Sequence, residues 1–246
     1  MEDFSGQTVV VSGATRGIGR AIAGAFLTQG ANVIGVYAGN SQAARSFSEE
    51  FKRYSSQIDL LQCDISKEIE VTALFAMIEE RYQSLDVLVN NAGIRRDAVL
   101  ALMQSEDWQQ VIDINLTGTY FMAKQAVLLM MQKKYGRIIN ITSPVAHLGF
   151  SGQSNYAASK AGQVALTKTL AKEVAKKKIT VNCVSPGFIA TDFINDLSKE
   201  QLATYKKMVP MRRFGTPEEV ADAVLFLSGK RATYITGTVL EIDGGL

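Results

Sequence analysis

Short runs of apolar, mostly β-branched residues alternate along the chain with longer segments in which apolar residues recur at helical spacing. The short runs predict strands over 8–12, 32–37, 58–63, 87–90, 136–141, 180–185 and 239–242. The longer segments predict helices over 17–29, 41–54, 68–82, 107–133, 155–175 and 217–227. Near-continuous apolar strands separated by helices are typical of a parallel sheet covered on both faces. Because no linker or repeat interrupts this alternation, we predict one α/β domain over residues 1–246.

Two segments depart from this pattern. Apolar residues in the helix predicted over 107–133 cover more of its surface than one face of a sheet can bury. Either a subunit interface or burial between other elements of the same domain would account for the excess. Between 188 and 214, polar residues mix with isolated apolar ones without a strong period, which we interpret as a mobile lid.

Composition and charge narrow the class of protein. The 246 residues are 47% hydrophobic and 20% charged, which excludes a disordered or fibrous chain. No apolar run approaches the ~18 residues of a membrane span, and Met1–Phe4 does not resemble a signal peptide, so we expect a cytoplasmic protein without a membrane partner. The 26 Lys and Arg against 24 Asp and Glu are too balanced for a nucleic-acid binder. Cys63 and Cys183 are far apart and lack metal-ligand spacing, so neither a disulfide nor a metal site is expected.

A glycine-rich turn, Ser-Gly-Ala-Thr-Arg-Gly-Ile-Gly over 12–19, follows the first predicted strand and leads into the first predicted helix. Glycines allow a sharp turn and close approach of a pyrophosphate, and the N-terminus of the helix offers unpaired N–H groups to an anion. Such a turn alone is a weak signal, but its place between a strand and a helix favours dinucleotide binding. The residues expected to contact the dinucleotide are Gly13, Thr15, Arg16, Gly17, Ile18 and Gly19.

The second predicted strand ends without an acidic residue. At this place, dinucleotide folds that prefer NAD usually carry Asp or Glu, which binds the ribose 2'-hydroxyl. Here Tyr37 is followed by Ala-Gly and then by Asn40 and Ser41, which together with Arg16 could donate hydrogen bonds to a 2'-phosphate. We therefore predict NADP(H) as the cofactor, in contact with Tyr37, Asn40 and Ser41.

Two further groups of residues follow the third and fourth predicted strands, at the edge where open α/β sheets bind ligands. Asp64 and Ile65 follow the third strand, and we expect Asp64 to contact the adenine with Ile65 beside it. Asn91, Ala92 and Gly93 follow the fourth strand and would pack the backbone against the cofactor. Each of these residues could equally be a turn former.

Three side chains near the same edge form a candidate catalytic set. Tyr156 and Lys160 lie one helical turn apart and therefore on one helix face, although chance alone often supplies such a pair. Ser143 follows the fifth strand at the ligand edge of the sheet. Carbonyl reduction needs a proton donor and a polar group that orients the carbonyl oxygen. We assign Tyr156 as the proton donor, Ser143 as the orienting hydroxyl, and Lys160 as the ribose ligand and the charge that lowers the phenol pKa.

Together these motifs resemble the short-chain dehydrogenase/reductase family over essentially the whole chain. The Asn-Asn-Ala-Gly at 90–93, Pro186-Gly187 and the Ile-Asp-Gly-Gly at 242–245 also occur in the order of that family. The resemblance implies a doubly wound Rossmann-type sheet of strand order 3-2-1-4-5-6-7. It also implies that Asn115 is a fourth catalytic residue, holding a water that links Lys160 to solvent. After the sixth strand, it implies cofactor contacts from Pro186, Gly187, Ile189 and Thr191.

Within the family, the motifs at 91–97, 155–162 and 185–192 are most similar to members that reduce 3-oxoacyl thioesters on acyl carrier protein in fatty acid elongation. Acetoacetyl-CoA reductases and other short-chain carbonyl reductases compete, and a sensor or scaffold without turnover is a third alternative, against which the intact Ser/Tyr/Lys/Asn set argues. The resemblance also implies a homotetramer built through the two long helices and the last strand. Carrier proteins are acidic, so a basic patch is expected beside the pocket. Lys134 and Lys177 match the family's docking positions, but lysines there would also complement helix dipoles.

Overall fold

A computed structural model describes residues 3–191 and 198–246 of the chain. Seven parallel strands form one sheet in the order β3-β2-β1-β4-β5-β6-β7, which confirms the predicted fold class and strand order. The strands are β1 Thr8–Ser12, β2 Asn32–Tyr37, β3 Ile58–Gln62, β4 Val87–Asn90, β5 Gly136–Ile141, β6 Ile179–Pro186 and β7 Val239–Ile242. The chain reverses its direction of travel across the sheet between β1 and β4, which places a crevice at their carboxyl ends.

Helices cover both faces of this sheet. In the described residues they are α1 Gly17–Thr28, α2 Ser41–Glu50, α3 Glu68–Tyr82, α4 Ser105–Ile112, α5 Gly118–Lys133, α6 Val145–Leu148, α7 Ser154–Val174, α8 Lys199–Met208 and α9 Pro217–Ser228. The single helix predicted over 107–133 is instead α4 and α5 joined by one π-helical turn, Asp113–Thr117. Within the described part of the chain, no helix combines the length and apolar character that crossing a bilayer requires.

Two apolar cores lie on opposite faces of the sheet. Successive residues of a strand point to opposite faces, so Val9 and Val11 pack with α1 and α9, whereas Val10 packs with α3, α5 and α7. Because both faces are covered, the strands are apolar throughout and not only at every second position. This packing holds the carboxyl ends of the strands, and the residues that follow them, in fixed positions.

The apolar excess on α5 faces outward. Leu129 and Met130 are buried, but Tyr120, Leu128 and Met131 are 45, 55 and 38% exposed. Burial within the chain therefore does not account for the excess, and an exposed apolar stripe of this kind favours an interface with another molecule.

The segment 188–214 shows no strong apolar period in the sequence, and we interpret it as a lid. It contains α8. This helix begins with a capping box, in which Ser198 Oγ accepts from the backbone N–H of Gln201 and Gln201 Oε1 accepts from that of Ser198. No residue of α8 is buried. Because the helix packs no side chain into the core, its sequence needs no apolar stripe. Residues 192–197 lie outside the described residues, and the mobility of the segment stays a prediction.

Candidate active site

The glycine-rich turn after β1 leaves the N-terminus of α1 without a side-chain cap. Gly13 and Gly17 adopt φ values of +67° and +52°, which glycine tolerates best. A Cβ atom on Gly19 would lie 2.1 Å from the carbonyl oxygen of Gly13, so only glycine fits there. The side chain of Arg16 does not cap α1, and no acidic residue lies in its first turn. The first N–H groups of α1 are therefore available to an anion. Thr15 and Ile18 belong to the same turn, with Thr15 buried.

Asn91 and Ser12 fix the glycine-rich turn to the end of β4. Asn91 Nδ2 donates to the carbonyl oxygens of Ser12 and Gly13 at 3.0 and 3.2 Å. Ser12 Oγ accepts from the backbone N–H groups of Asn91 and Ala92 at 3.0 and 3.1 Å. Residues 91–92 thus have a packing role in this structure, while their contact with a cofactor stays a prediction.

The end of β2 presents polar groups beside this turn. Asn40 Oδ1 accepts from the backbone N–H of Ala43 at 2.9 Å and caps α2, whose first residue is Ser41. Because the oxygen of Asn40 is engaged, its amide NH2 group is left to donate. Arg16, Asn40 and Ser41 are exposed, and Tyr37 is half-buried at the end of the strand.

Asp64 acts as a turn former. Its Oδ1 accepts from the backbone N–H and the hydroxyl of Ser66 at 3.0 and 2.7 Å. Ile65 is buried and lies against Gly118, where a Cβ atom would come within 2.9 Å of Ile65 Cγ1. The adenine contact predicted for Asp64 stays a prediction.

The four predicted catalytic residues meet at the carboxyl ends of β4 and β5. Lys160 Nζ donates to the carbonyl oxygen of Ile141, the last residue of β5, at 2.7 Å. The Ser143 hydroxyl lies near enough to the phenol of Tyr156 to lower the phenol pKa. A Cβ atom on Gly93 would lie 3.2 Å from Asn115 Oδ1 and 3.7 Å from Lys160 Nζ, so the segment after β4 runs directly past this set.

Asn115 lies in the π-helical turn and is completely buried. Its Oδ1 accepts from the backbone N–H of Ile94 at 2.8 Å, and its Nδ2 donates to the Ile94 carbonyl oxygen and to Ser159 Oγ at 3.0 and 3.2 Å. The side chain therefore ties the segment after β4 to α7. Single π turns inside helices often occur at functional sites, but apolar periodicity does not reveal one.

Burial is the main influence on Tyr156 and raises the pKa of its phenol. The positive charge of Arg95 and the nearby Ser143 hydroxyl oppose this increase in pKa, and the charge of Asp97 adds to it. Arg95 is the positive group that lowers this pKa in the structure, and the lowering expected from Lys160 stays a prediction. A raised pKa keeps the phenol protonated near neutral pH, as a proton donor requires.

Arg95 is held by the loop that carries it. It forms an ion pair with Asp97, which accepts a hydrogen bond from Gln153 Nε2 at 3.0 Å. The backbone N–H of Ala98 donates to the carbonyl oxygen of Gly152 at 2.9 Å. This loop is therefore fixed to the residues just before Tyr156, a relation between distant segments that the sequence does not show.

Lys160 is buried, and desolvation lowers its pKa to about 8. Its Nζ lies 5.6 Å from the centroid of the Tyr156 ring. Besides Ile141, the ammonium group donates to Gln163 Oε1 at 3.0 Å. Sequence reasoning missed Gln163, because a glutamine on a helix resembles a solvent-exposed residue; its spacing of three from Lys160 was the available signal.

The chain after β6 returns over the glycine-rich turn. The Gly187 N–H donates to the carbonyl oxygen of Ile242 at 3.0 Å, and Pro186 ends β6. Ile189 is buried and pairs with Gly215. A Cβ atom added to Gly17 would lie 3.5 Å from Thr191 Cγ2. Thr191, one of the expected cofactor contacts after β6, thus borders the glycine-rich turn.

The chain is similar to known proteins over its whole length. The family model described as "Enoyl-(Acyl carrier protein) reductase" matches residues 13–246. A 3-oxoacyl-[acyl-carrier-protein] reductase from Synechocystis sp. is 43% identical over 247 residues, covering 100% of this chain and 99% of the relative. Reductases named 3-oxoacyl-[acyl-carrier-protein] reductase FabG from Aquifex aeolicus and Vibrio harveyi are 41% and 42% identical, each covering 99% of this chain and 98% of the relative.

Proposed function

Because the chain belongs to the short-chain dehydrogenase/reductase family, we propose that it uses NADPH to reduce a 3-oxoacyl thioester on acyl carrier protein to the 3-hydroxyacyl thioester in fatty acid elongation. The observation that carries this proposal is the meeting of Ser143, Tyr156 and Lys160 at the sheet edge beside the glycine-rich turn. The printed names of the full-length relatives support this substrate class. We also propose that the protein acts in the cytoplasm, which fits this reaction.

The residues of the crevice fit NADP(H). The uncapped N-terminus of α1 and the close-packed Gly13 and Gly19 suit a pyrophosphate, which an acidic first turn or a Cβ atom would exclude. Arg16 and the free amide of Asn40 suit a 2'-phosphate, which a carboxylate at the end of β2 would repel. When bound, the cofactor supplies the hydride that reduces the carbonyl carbon.

The side chains of this chain supply the proton and the orientation. The Ser143 hydroxyl lies near the Tyr156 phenol, and a ketone oxygen bound between the two groups would accept a hydrogen bond from each. Tyr156 transfers its proton to this oxygen as negative charge develops there. The phenolate left behind is costly in a buried site, and the charges of Lys160 and Arg95 offset that cost.

The proposed reaction is tested with acetoacetyl thioesters on acyl carrier protein and on CoA, beside simple ketones and sugars. We expect NADPH oxidation to be fastest with the carrier-bound thioester. We also expect kcat/KM for NADPH to exceed that for NADH about tenfold or more, because a charge-assisted hydrogen bond contributes about 1.5–3 kcal/mol. Preference for NADH would contradict the assignment of Arg16 and Asn40, and turnover of ketones or sugars alone would exclude the thioester.

The exposed stripe on α5, formed by Tyr120, Leu128 and Met131, supports a homotetramer in which this helix packs against another subunit.

The proposed tetramer also affects where acyl carrier protein would dock. Lys134 directly follows α5 and Lys177 follows α7, and each precedes a strand, so both lie at the edge of the sheet opposite Tyr156. At 1.5 Å per residue along α7, Lys177 is about 30 Å from Tyr156. Lys134 and Lys177 therefore do not lie beside the pocket of their own chain, and docking at these lysines would serve the pocket of another subunit.

Charge reversal tests this docking surface. Lys134→Glu combined with Lys177→Glu should raise KM for the carrier-bound thioester about tenfold and leave KM for the CoA thioester unchanged, since surface charges act mainly on association. Lys52→Glu combined with Arg53→Glu gives the same change in net charge at another exposed place. Equal effects of the first pair on both substrates, or of the two pairs on the carrier-bound substrate, would remove the docking role.

A further inference from the structure

The amide of Gln163 joins Lys160 to the π-helical turn. Gln163 is completely buried on α7, three residues after Lys160. Its Nε2 donates to the Asn115 carbonyl oxygen and to Thr119 Oγ1, each at 2.7 Å, and its Oε1 accepts from Lys160 Nζ at 3.0 Å. The reversed amide would set an NH2 group against an ammonium, so these contacts fix its orientation.

Two side-chain donors occupy both lone pairs of the Asn115 carbonyl oxygen. Thr119 Oγ1 donates to the same oxygen at 2.7 Å. A carbonyl oxygen has two lone pairs, and side-chain donors from Gln163 and Thr119 use both. Here a side-chain amide of the protein itself makes the link between Lys160 and Asn115.

Neutral groups surround the Lys160 ammonium. In the described part of the chain, the titratable groups near it are Tyr156 on the same helix and Cys183 on β6. Burial raises the pKa of both, that of Cys183 to about 11, so both are uncharged near neutral pH. Two acceptors therefore favour the charged form of Lys160, namely the carbonyl oxygen of Ile141 and Gln163 Oε1.

We propose that Gln163 is a positioning residue for the reduction: it holds the Lys160 ammonium beside Tyr156 and connects it to Asn115. The inference rests on the proposed function for the role of Lys160, but the contacts of Gln163 stand apart from it. Gln163 acts through Lys160 and touches neither a substrate nor a cofactor. Gln163 can be buried because its polar atoms are hydrogen-bonded to Lys160 on α7, to Asn115 on the π turn and to Thr119 at the start of α5.

Two substitutions should move the pKa of Lys160 in opposite directions. Gln163→Met keeps the length of the side chain but removes the acceptor, so the charged form loses stability and the pKa of Lys160 should fall by about one unit. Gln163→Glu keeps an acceptor and adds negative charge, so the pKa should rise by about one unit. The measurement is the pH titration of the lysine ε-carbon resonance in labelled protein, assigned by its loss in Lys160→Met.

The alkaline limb of the pH profile of kcat should follow the same shifts, because Lys160 must stay charged to stabilise the phenolate. The control is Thr167→Val, which breaks a buried hydrogen bond from Asn140 Nδ2 one turn further along α7 and should leave the Lys160 titration in place. Opposite shifts in the two Gln163 variants cannot come from loosened packing. An unmoved titration in Gln163→Met would overturn the inference, whereas shifted titrations in a protein that reduces no thioester would overturn the proposed function alone.

Discussion

Tyr156→Phe is expected to lower kcat for thioester reduction by about 10³-fold, within the range that general acid catalysis supplies. Phenylalanine keeps the ring and its packing but removes the only proton that the pair of neighbouring hydroxyls can give up easily, because Ser143 is a much weaker acid. NADPH binding should stay within about twofold of the original, since the loss falls on the transition state. Steady-state kinetics and a fluorescence titration with NADPH measure the two effects.

The matched control is Tyr82→Phe. The Tyr82 hydroxyl donates to Asp59 Oδ2 at 2.9 Å, and its pKa is raised to about 12, first by desolvation and then by Asp59. It lies on α3, away from the crevice, so its loss should leave kcat unchanged. Near-original turnover in Tyr156→Phe would remove the tyrosine from the role of proton donor.

Gly19→Ala should abolish cofactor binding at accessible concentrations, with affinity for NADPH lowered about 100-fold or more. The added methyl group would lie 2.1 Å from the Gly13 carbonyl oxygen and 2.5 Å from Asn91 Nδ2. Backbone cannot withdraw as a flexible side chain does, so the turn must open and the N–H groups of α1 lose their alignment. Overpacking of this kind also destabilises a fold by about 1–3 kcal/mol.

Gly39→Ala serves as the comparison, because a Cβ atom on Gly39 meets nothing within 4 Å and its backbone is not left-handed. It should leave urea denaturation unchanged. Calorimetric titration with NADPH distinguishes the two variants. Unimpaired NADPH binding in Gly19→Ala would mean that the pyrophosphate does not rest on this turn.

Features set by local chemistry could be predicted from the sequence. The strands and the glycine-rich turn rest on short-range patterns, and Tyr156 and Lys160 share a face because of helical geometry. The capping box of α8, Ser198 with Gln201, was such a local signal and could have predicted that helix. The polarity of parallel strands could likewise have shown that Lys134 and Lys177, which precede strands, lie at the edge opposite Ser143 and not beside the pocket, as was expected.

Features set by contacts between distant segments could not be predicted. The burial of Gln163 depends on the packing of α7 against a π turn whose Asn115 lies 48 residues earlier, and periodicity does not reveal that turn. The influence of Arg95 on Tyr156 depends on a loop fixed through Asp97 to Gln153. In both cases the residue type alone suggests solvent exposure, and only the tertiary structure decides its role.

The π-helical turn between α4 and α5 has a consequence for assembly. Asn115 lies in the π-helical turn directly before α5, the helix whose exposed face carries Tyr120 and Leu128. Tightly packed helices move as rigid bodies rather than by bending. A neighbouring molecule packed on that face would therefore restrain the position of Asn115, so that contact between subunits and the geometry around Lys160 are coupled.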